Sequence, residues 1–190
     1  MTRDDILQSA AQVFRQKGYH GASMADIAEA VSLQKASLYH HFSSKQEILV
    51  ELLDTALALV SGRMGQVMEL EAPPDQKLRL AMRAYLSALN EQGDLGTVLL
   101  LEYRSLDETL YMRHIPNRDR FEQMWRELLQ QGVQAGVFRC ENIPLAVRGL
   151  LGALNWTITW YHPAGPMAVE QVSDYLADFF LNGISVPGNL

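Results

Sequence analysis

Apolar residues recur at intervals of three and four along nearly the whole chain, and no long stretch alternates with period two, so the pattern predicts an all-α fold. The first helix is expected over 3–17, with Ile6, Ala10, Val13 and Phe14 on one face and Gly18 as its stop. A second, two-turn helix follows Ser23 and ends near Val31; Ser23 can cap backbone N–H groups while Asp26 sits in the turn favoured by the helix dipole. Residues 35–42 read as a third short helix. Ser44-Lys-Gln-Glu47 is a capping box that opens a much longer helix to about Glu69, and Pro73 and Pro74 punctuate the chain after it. Further helices are expected near 75–92, 95–103, 116–135, 144–161 and 167–181. The organisation is a three-helix head, residues 1–47, followed by a bundle of about six longer helices, residues 48–190.

Composition changes the picture in two places. With 190 residues, 48% of them hydrophobic, the chain supplies one core of ordinary size or a small module joined to a larger one. The single cysteine, Cys140, excludes an intrachain disulfide and a thiolate zinc cluster, which fits a reducing cytoplasm. The start, MTRDDILQSAAQ, lacks the basic end and apolar run of a secretory signal, and the apolar run 149–161 is broken by Asn155 and too short to span a bilayer. A net charge of −6 argues at first against nucleic acid, because phosphate binding wants Lys and Arg. Resolved by region the objection lapses. Residues 1–47 hold five bases and five acids, so the whole −6 belongs to the remainder.

Two short helices joined by a tight turn, with a third behind them, form the geometry that places one helix in a DNA major groove. The residues are more specific than the geometry. Ile27-Ala-Glu-Ala-Val-Ser-Leu-Gln-Lys-Ala-Ser-Leu-Tyr-His-His-Phe42 followed by Ser44-Lys45-Gln-Glu47-Ile-Leu49 resembles the signature of the TetR family of transcriptional regulators. So does the upstream run Ala10-Ala11-x-Val-Phe14-x-x-x-Gly18-Tyr19-x-Gly21-x-Ser23-Met24-x-x-Ile27-Ala28. The resemblance implies a recognition helix whose first residues, Gln34, Lys35 and Ala36, meet base edges; Lys donates to guanine O6 and N7 and Gln pairs with adenine. It also implies phosphate contacts from Ser37, Tyr39, His40, His41 and Lys45, with Ser23 adding donors at a helix N-terminus. Two positions depart from the family: Ser32 stands where Gly usually makes the turn, and Gln34 where Ser or Thr usually caps the helix. Ser tolerates a left-handed turn less well than Gly and Gln caps poorly, so a reshaped turn is expected. The adjacent His40 and His41 point about 100° apart on a helix and no carboxylate or Cys completes a ligand set, so neither metal nor cofactor is expected.

The helix 144–161 is apolar on nearly every side, and a helix buried all round needs partners its own chain does not easily supply. Dimerisation is the expected supply, through Val147, Leu151, Leu154 and Ile158 together with Val172, Tyr175, Leu176 and Phe179 of the last helix. The family resemblance implies the same, a four-helix bundle made by the last two helices of each subunit, and a two-fold axis then matches a palindromic operator. Aromatic and methionine residues point to an apolar effector cavity lined by Met82, Tyr85, Leu86, Tyr103, Phe121, Met124, Trp125 and Leu128, closed by Gly152, Asn155, Trp156, Thr159 and Trp160. The cluster Arg113, His114, Arg118 and Arg120 adds a basic rim suited to an amphiphile with an acidic head, an acyl-CoA first of all. The alternative pairs these arginines with Glu122, Asp119 and Glu108 on a solvated face.

The expected function is a homodimeric, ligand-responsive repressor, with the helix from Lys45 as lever and operator binding that depends steeply on salt. Two other readings differ in class: a bundle that sequesters a ligand or protein without specific DNA binding, and a small-molecule enzyme. The second lacks a paired carboxylate and His, a nucleophile with a positioned base, and a glycine-rich phosphate loop, so no enzyme is expected.

Overall fold

The structure, a computed structural model, describes residues 2–91 and 93–185. Among these it holds α1 (Arg3–Gly21), α2 (Met24–Ala30), α3 (Lys35–His41), α4 (Lys45–Met68), α5 (Pro74–Glu91), α6 (Asp94–Leu101), α7 (Glu108–Gln134), α8 (Ile143–Trp156) and α9 (Val169–Ile184). Short 3-10 turns follow α6 at Tyr103–Ser105 and α8 at Thr157–Thr159, and one isolated β-bridge joins Phe138 to Ser185. The fold is all-α, as the periodicity requires. Gln92, the expected last residue of the fifth helix, lies outside the described residues.

Local chemistry places most helix ends. Gly18 leaves helical geometry at φ 69°, where α1 breaks before its last turn. Ser23 caps α2 by accepting from the Asp26 amide, and Asp26 answers by accepting from the Ser23 amide at 2.8 Å. Asn142 caps α8 through the Leu145 amide. One boundary differs from expectation by two turns: α7 starts at Glu108, not at Pro116, which stands inside the helix. Asp107 is the reason, since its carboxylate accepts from the Leu110 amide at 2.9 Å and nucleates the helix ahead of the proline.

The chain divides into two compact units, one made of Met1–Ala58 with Gln92–Arg118, the other of Leu59–Glu91 with Asp119–Leu190. In the first, α1 packs on α2 and α6, and α2 on α3, around Ile6, Phe14, Ile27, Leu38, Phe42 and Ile48. The segment 93–118 is tied to this head by side chains: Arg15 pairs with Asp94, the Tyr19 amide donates to Glu102, and Gln46 clamps the turn before α7. Gln46 donates to the Ser105 carbonyl at 2.8 Å and accepts from the Asp107 amide at 3.1 Å. In the second unit α5 packs along α9, with Arg79 paired to Asp178 and Arg83 to Asp174. Gly132, inside α7, lets the Phe138 ring fold back onto the helix; a Cβ there would lie 2.0 Å from the ring.

Candidate nucleic-acid interface and effector region

The turn before α3 keeps its shape at the expense of Ser32. Ser32 adopts φ 53°, and the Ser32 amide bonds the Glu29 carbonyl while the Leu33 amide bonds the Ala28 carbonyl. Those two bonds close a Schellman motif with a non-glycine residue at its left-handed position. The expected reshaping does not occur; the backbone absorbs the strain instead, about 1–2 kcal/mol for an L residue. Gln34 occupies the N-cap of α3 and makes no side-chain cap bond, in line with its poor capping chemistry.

Helix α3 is anchored by Leu38 and by Phe42 just beyond its end, 0% and 1% exposed. Its opposite face is open: Gln34, Lys35, Ala36 and His40 are exposed, Tyr39 is 46% exposed, and Ser37 and His41 are half-buried. A residue outside the predicted set holds the far end of this helix. Arg3 donates to the His41 carbonyl, pairs with Glu47 at 3.0 Å and Glu51 at 2.5 Å, and lays its guanidinium 3.9 Å from the Phe42 ring centre. Hydrogen bonds to Glu51 raise its pKa further above the ordinary arginine value. No periodicity signals this role, because Arg3 meets α3 and α4 only in the folded head.

Two predicted phosphate ligands have partners inside the chain. Lys45 donates to the Tyr19 and Ala22 carbonyls, both at 2.7 Å, and lies 4.2 Å from the Tyr19 ring centre, so its charge ties α4 to the C-terminal end of α1. Ser23 gives its hydroxyl proton to Asp26 at 2.6 Å. A hydrogen bond from Lys17, then those from Ser23, hold the Asp26 carboxyl well below the usual range, so a negative charge sits where the phosphate was expected.

In the second unit the structure brings together Tyr85, Phe121, Trp125 and Asn155. The rings of Tyr85, Phe121 and Trp125 meet at centre distances of 5.5–6.2 Å, and the Tyr85 hydroxyl donates to Asn155 Oδ1 at 2.6 Å. Met82, Leu86 and Leu128 are fully buried, Met124 is half-buried, and the Trp125 indole N–H is buried without a hydrogen-bond partner. Gly152, Trp156, Thr159 and Trp160 do not join this group; all four are exposed, Trp156 at 66%. The predicted dimer face divides likewise. Val147, Leu154 and Val172 are buried in their own unit, Leu151, Ile158 and Leu176 are half-buried, and Tyr175 and Phe179 are 69% and 73% exposed. The open stripe of α8 is thus Leu145, Gly149, Gly152 and Trp156, one turn apart along a single face. The stripes exchange because α8 is apolar on several sides, and the branched aliphatic side fills its own core better than a face flattened by two glycines.

The basic rim is also taken apart. His114 is fully buried with Nδ1 2.8 Å from Asp54, and Arg113 opens onto a groove lined by Glu47, Glu51 and Asp54, where carboxylates replace the expected anion. Arg118 stacks 3.8 Å from the Tyr103 ring centre. None of the three meets Glu122, Asp119 or Glu108 among the described residues.

A small helical head that exposes one anchored helix behind a Schellman turn defines a helix-turn-helix DNA-binding protein, here joined to a second helical unit with a buried aromatic cluster. Residues 6–52 match the family described as bacterial regulatory proteins, tetR family, and residues 71–184 match the tetracyclin repressor-like C-terminal domain. The chain belongs to the TetR family. It is 30% identical over 185 residues to the HTH-type transcriptional repressor KstR2 of Mycolicibacterium smegmatis, covering 96% of this chain and 90% of that protein. Among solved structures it is similar to the TetR-family regulator PfmR of Thermus thermophilus, with a TM-score of 0.87, 38% identity, and 93% and 97% of the two chains covered. It is also similar to AibR in complex with isovaleryl coenzyme A and operator DNA, with a TM-score of 0.86, 25% identity, and 93% and 96% covered. The protein is a transcriptional regulator of the helix-turn-helix class, and not an enzyme.

Proposed function

We propose that the protein represses transcription as a homodimer that holds a palindromic operator and lets it go when an acyl-CoA occupies the second unit. The observation that carries the reading is the exposed row on α3, Gln34, Lys35, Ala36, Tyr39 and His40, on a helix anchored at its middle by Leu38 and at its far end by Phe42 and Arg3. Gln34 and Lys35 read bases; Ser37, Tyr39, His40 and His41 take phosphates; Lys45 sets the angle of α4 against α1. Residues 1–47 supply the reading head and 48–190 the ligand-binding and dimerisation part. The exposed stripe of α8 and the Tyr175–Phe179 face of α9 are covered by a second copy, so that two recognition helices address two half-sites.

The acyl chain of the effector enters the Tyr85, Phe121 and Trp125 cluster, where the unpaired Trp125 N–H and the Tyr85–Asn155 pair offer polar contacts within an apolar site. The similarity to AibR, solved with isovaleryl coenzyme A, supports that ligand class. Binding shifts the equilibrium between two dimer states only by the difference in ligand affinity for them, and the continuous helix α4 is the lever between them. The site of action is the cytoplasm, where the operator is found; no helix among the described residues is long and apolar enough to cross a membrane.

The test is an operator search with the purified protein on genomic fragments, followed by release with acyl-CoAs of graded chain length. Specific binding to a palindrome that one class of acyl-CoA reverses is the expected result. Equal, weak affinity for every duplex overturns the repressor reading, and indifference of a specific complex to every acyl-CoA overturns the effector class.

A further inference from the structure

Among the described residues seven of the twelve arginines meet a carboxylate within 4.0 Å: Arg3, Arg15, Arg63, Arg79, Arg83, Arg126 and Arg148. Of the five that do not, Arg104 and Arg118 converge on one ring. Arg118 of α7 lies 3.8 Å from the ring centre of Tyr103, Arg104 lies 5.6 Å from the same centre, and Arg104 Nε donates to the Tyr103 hydroxyl oxygen at 3.0 Å. Among the described residues neither guanidinium has a carboxylate partner. Of the acidic residues nearest in sequence, Glu102 is committed elsewhere, accepting from the Tyr19 amide and from the Ser105 hydroxyl, and Asp119, next to Arg118, pairs with neither guanidinium among the described residues. Two guanidinium groups are therefore gathered on one phenol with no carboxylate between them.

The donors converge. Each guanidinium keeps free N–H groups, and the Tyr103 oxygen, which already accepts from Arg104, retains its own proton to give. Burial works to raise the Tyr103 pKa, but hydrogen bonds and charge from Arg104 and Arg118 outweigh it and leave the phenol below its ordinary value, a measure of how positive the spot is. A carboxylate has two oxygens and cannot satisfy two forks and a phenol together; a phosphate monoester, with three terminal oxygens and nearly two charges, can.

We infer that Tyr103, Arg104 and Arg118 form a phosphate-binding site that holds a phosphate group of a coenzyme A-type effector. It rests on the proposed effector class and relocates the basic rim from Arg113 and His114 to a place where no carboxylate competes.

The test is calorimetric titration of the full chain and its R104Q, R118Q and Y103F variants with coenzyme A, pantetheine and inorganic pyrophosphate, beside operator affinity without ligand. Coenzyme A is expected to bind and pyrophosphate to compete, whereas pantetheine, which has no phosphate, should not compete. Each arginine variant should weaken coenzyme A by about tenfold or more, with R118K recovering part of the loss and operator affinity unchanged. Unaltered coenzyme A affinity in both arginine variants overturns the site. A drop in ligand-free operator affinity in both also overturns it, because the arginines then serve DNA phosphates. If an acyl-CoA releases the operator from R104Q and R118Q as readily as from wild type, this site fails and the effector class stands. If coenzyme A binds through the arginines while no acyl-CoA releases the operator, the effector class fails and the site stands.

Discussion

Trp156→Ala is expected to break the dimer and, through it, operator binding. Trp156 is 66% exposed on α8, and Gly149 and Gly152 beside it have no heavy atom within 4 Å of where a Cβ would sit, so the chain itself gives neither the indole nor the glycines anything to do. A tryptophan presents about 250 Å², so about 160 Å² of this one lies open, and covering it at about 25 cal/mol per Å² is worth about 4 kcal/mol. Burial at interfaces converts incompletely, and alanine retains part of the contact, which leaves about 2 kcal/mol per subunit. The two-fold axis counts it twice, so the dimer dissociation constant should rise by about 10³. Sedimentation at graded concentrations measures that constant directly, and the folded content of the monomer, followed by circular dichroism, should be unchanged. Operator affinity should fall in parallel at concentrations below the new constant. An unchanged dimer constant with intact folding would refute the assignment of this stripe to the interface.

Three further outcomes follow from local geometry. Ser32→Gly removes left-handed strain of about 1–2 kcal/mol but gives back part of it as chain entropy, so a net gain of about 1 kcal/mol and a rise in Tm of about 2–4 °C are expected; a lower Tm contradicts the strained turn. Gly132→Ala drives a Cβ to 2.0 Å from the Phe138 ring and should lower stability by about 1–3 kcal/mol, seen as a Tm several degrees lower, whereas an unaltered Tm refutes the close approach. Hydrogen bonds from the Ser43 hydroxyl and amide, and then Arg3, hold the Glu47 carboxyl below its ordinary value. Its folded pKa is the lower one, so its contribution is complete above the unfolded carboxylate pKa and is lost as pH falls through the folded value; Glu47→Gln should flatten acid unfolding below about pH 4, and an identical acid profile counts against the network.

The head was legible because its signals are local. Gly18, Ser23 with Asp26, and the run from Ile27 to Phe42 act within a few residues of themselves, and each boundary they announce lies within a few residues of where the structure has it. The consequence of Ser32 was half legible: the residue types identified the strain, but the choice between bending the turn and bearing the strain depends on the packing of Leu38 and Phe42, which hold α3 in place. The aromatic cluster was found because Tyr85, Phe121 and Trp125 have few other places to go in a helical unit. The facing of α8 was not found, since a helix apolar on three sides carries no periodicity to say which side looks out. The fate of the arginines was equally hidden. Whether Arg113 faces an anion or a groove lined by Glu47, Glu51 and Asp54 depends on α4 and α7 lying together, and a residue that faces a cation from about 60 positions away leaves no mark in the cation's own neighbourhood.

Charge accounting in the head leads to a different salt dependence from the steep one that the composition suggests. Of the five bases in residues 1–47, Arg3 is engaged by Glu47 and Glu51, Arg15 by Asp94, Lys17 by Asp26 and Lys45 by two backbone carbonyls. Lys35 alone stands on the exposed face of α3 without a carboxylate. If internal pairs persist on the operator, Lys35 is the one lysine or arginine charge each head brings into the groove, a dimer displaces about two counterions, and the slope of log affinity against log salt should be about −2. Were all five bases of both heads to turn to the backbone, the slope would be about −9. Fluorescence anisotropy on an operator duplex between about 50 and 200 mM salt separates these values easily. Lys35→Gln should bring the slope close to zero while leaving dimerisation intact. A slope near −9 in the wild type would show that the cations abandon their carboxylates for DNA, and the fixed-network view of the head would then be wrong. A shallow slope would fit a selective acidic protein: with little general attraction to phosphate, affinity would rest on the proposed base contacts of Gln34 and Lys35 and on the spacing that an α8-mediated dimer would impose on two heads.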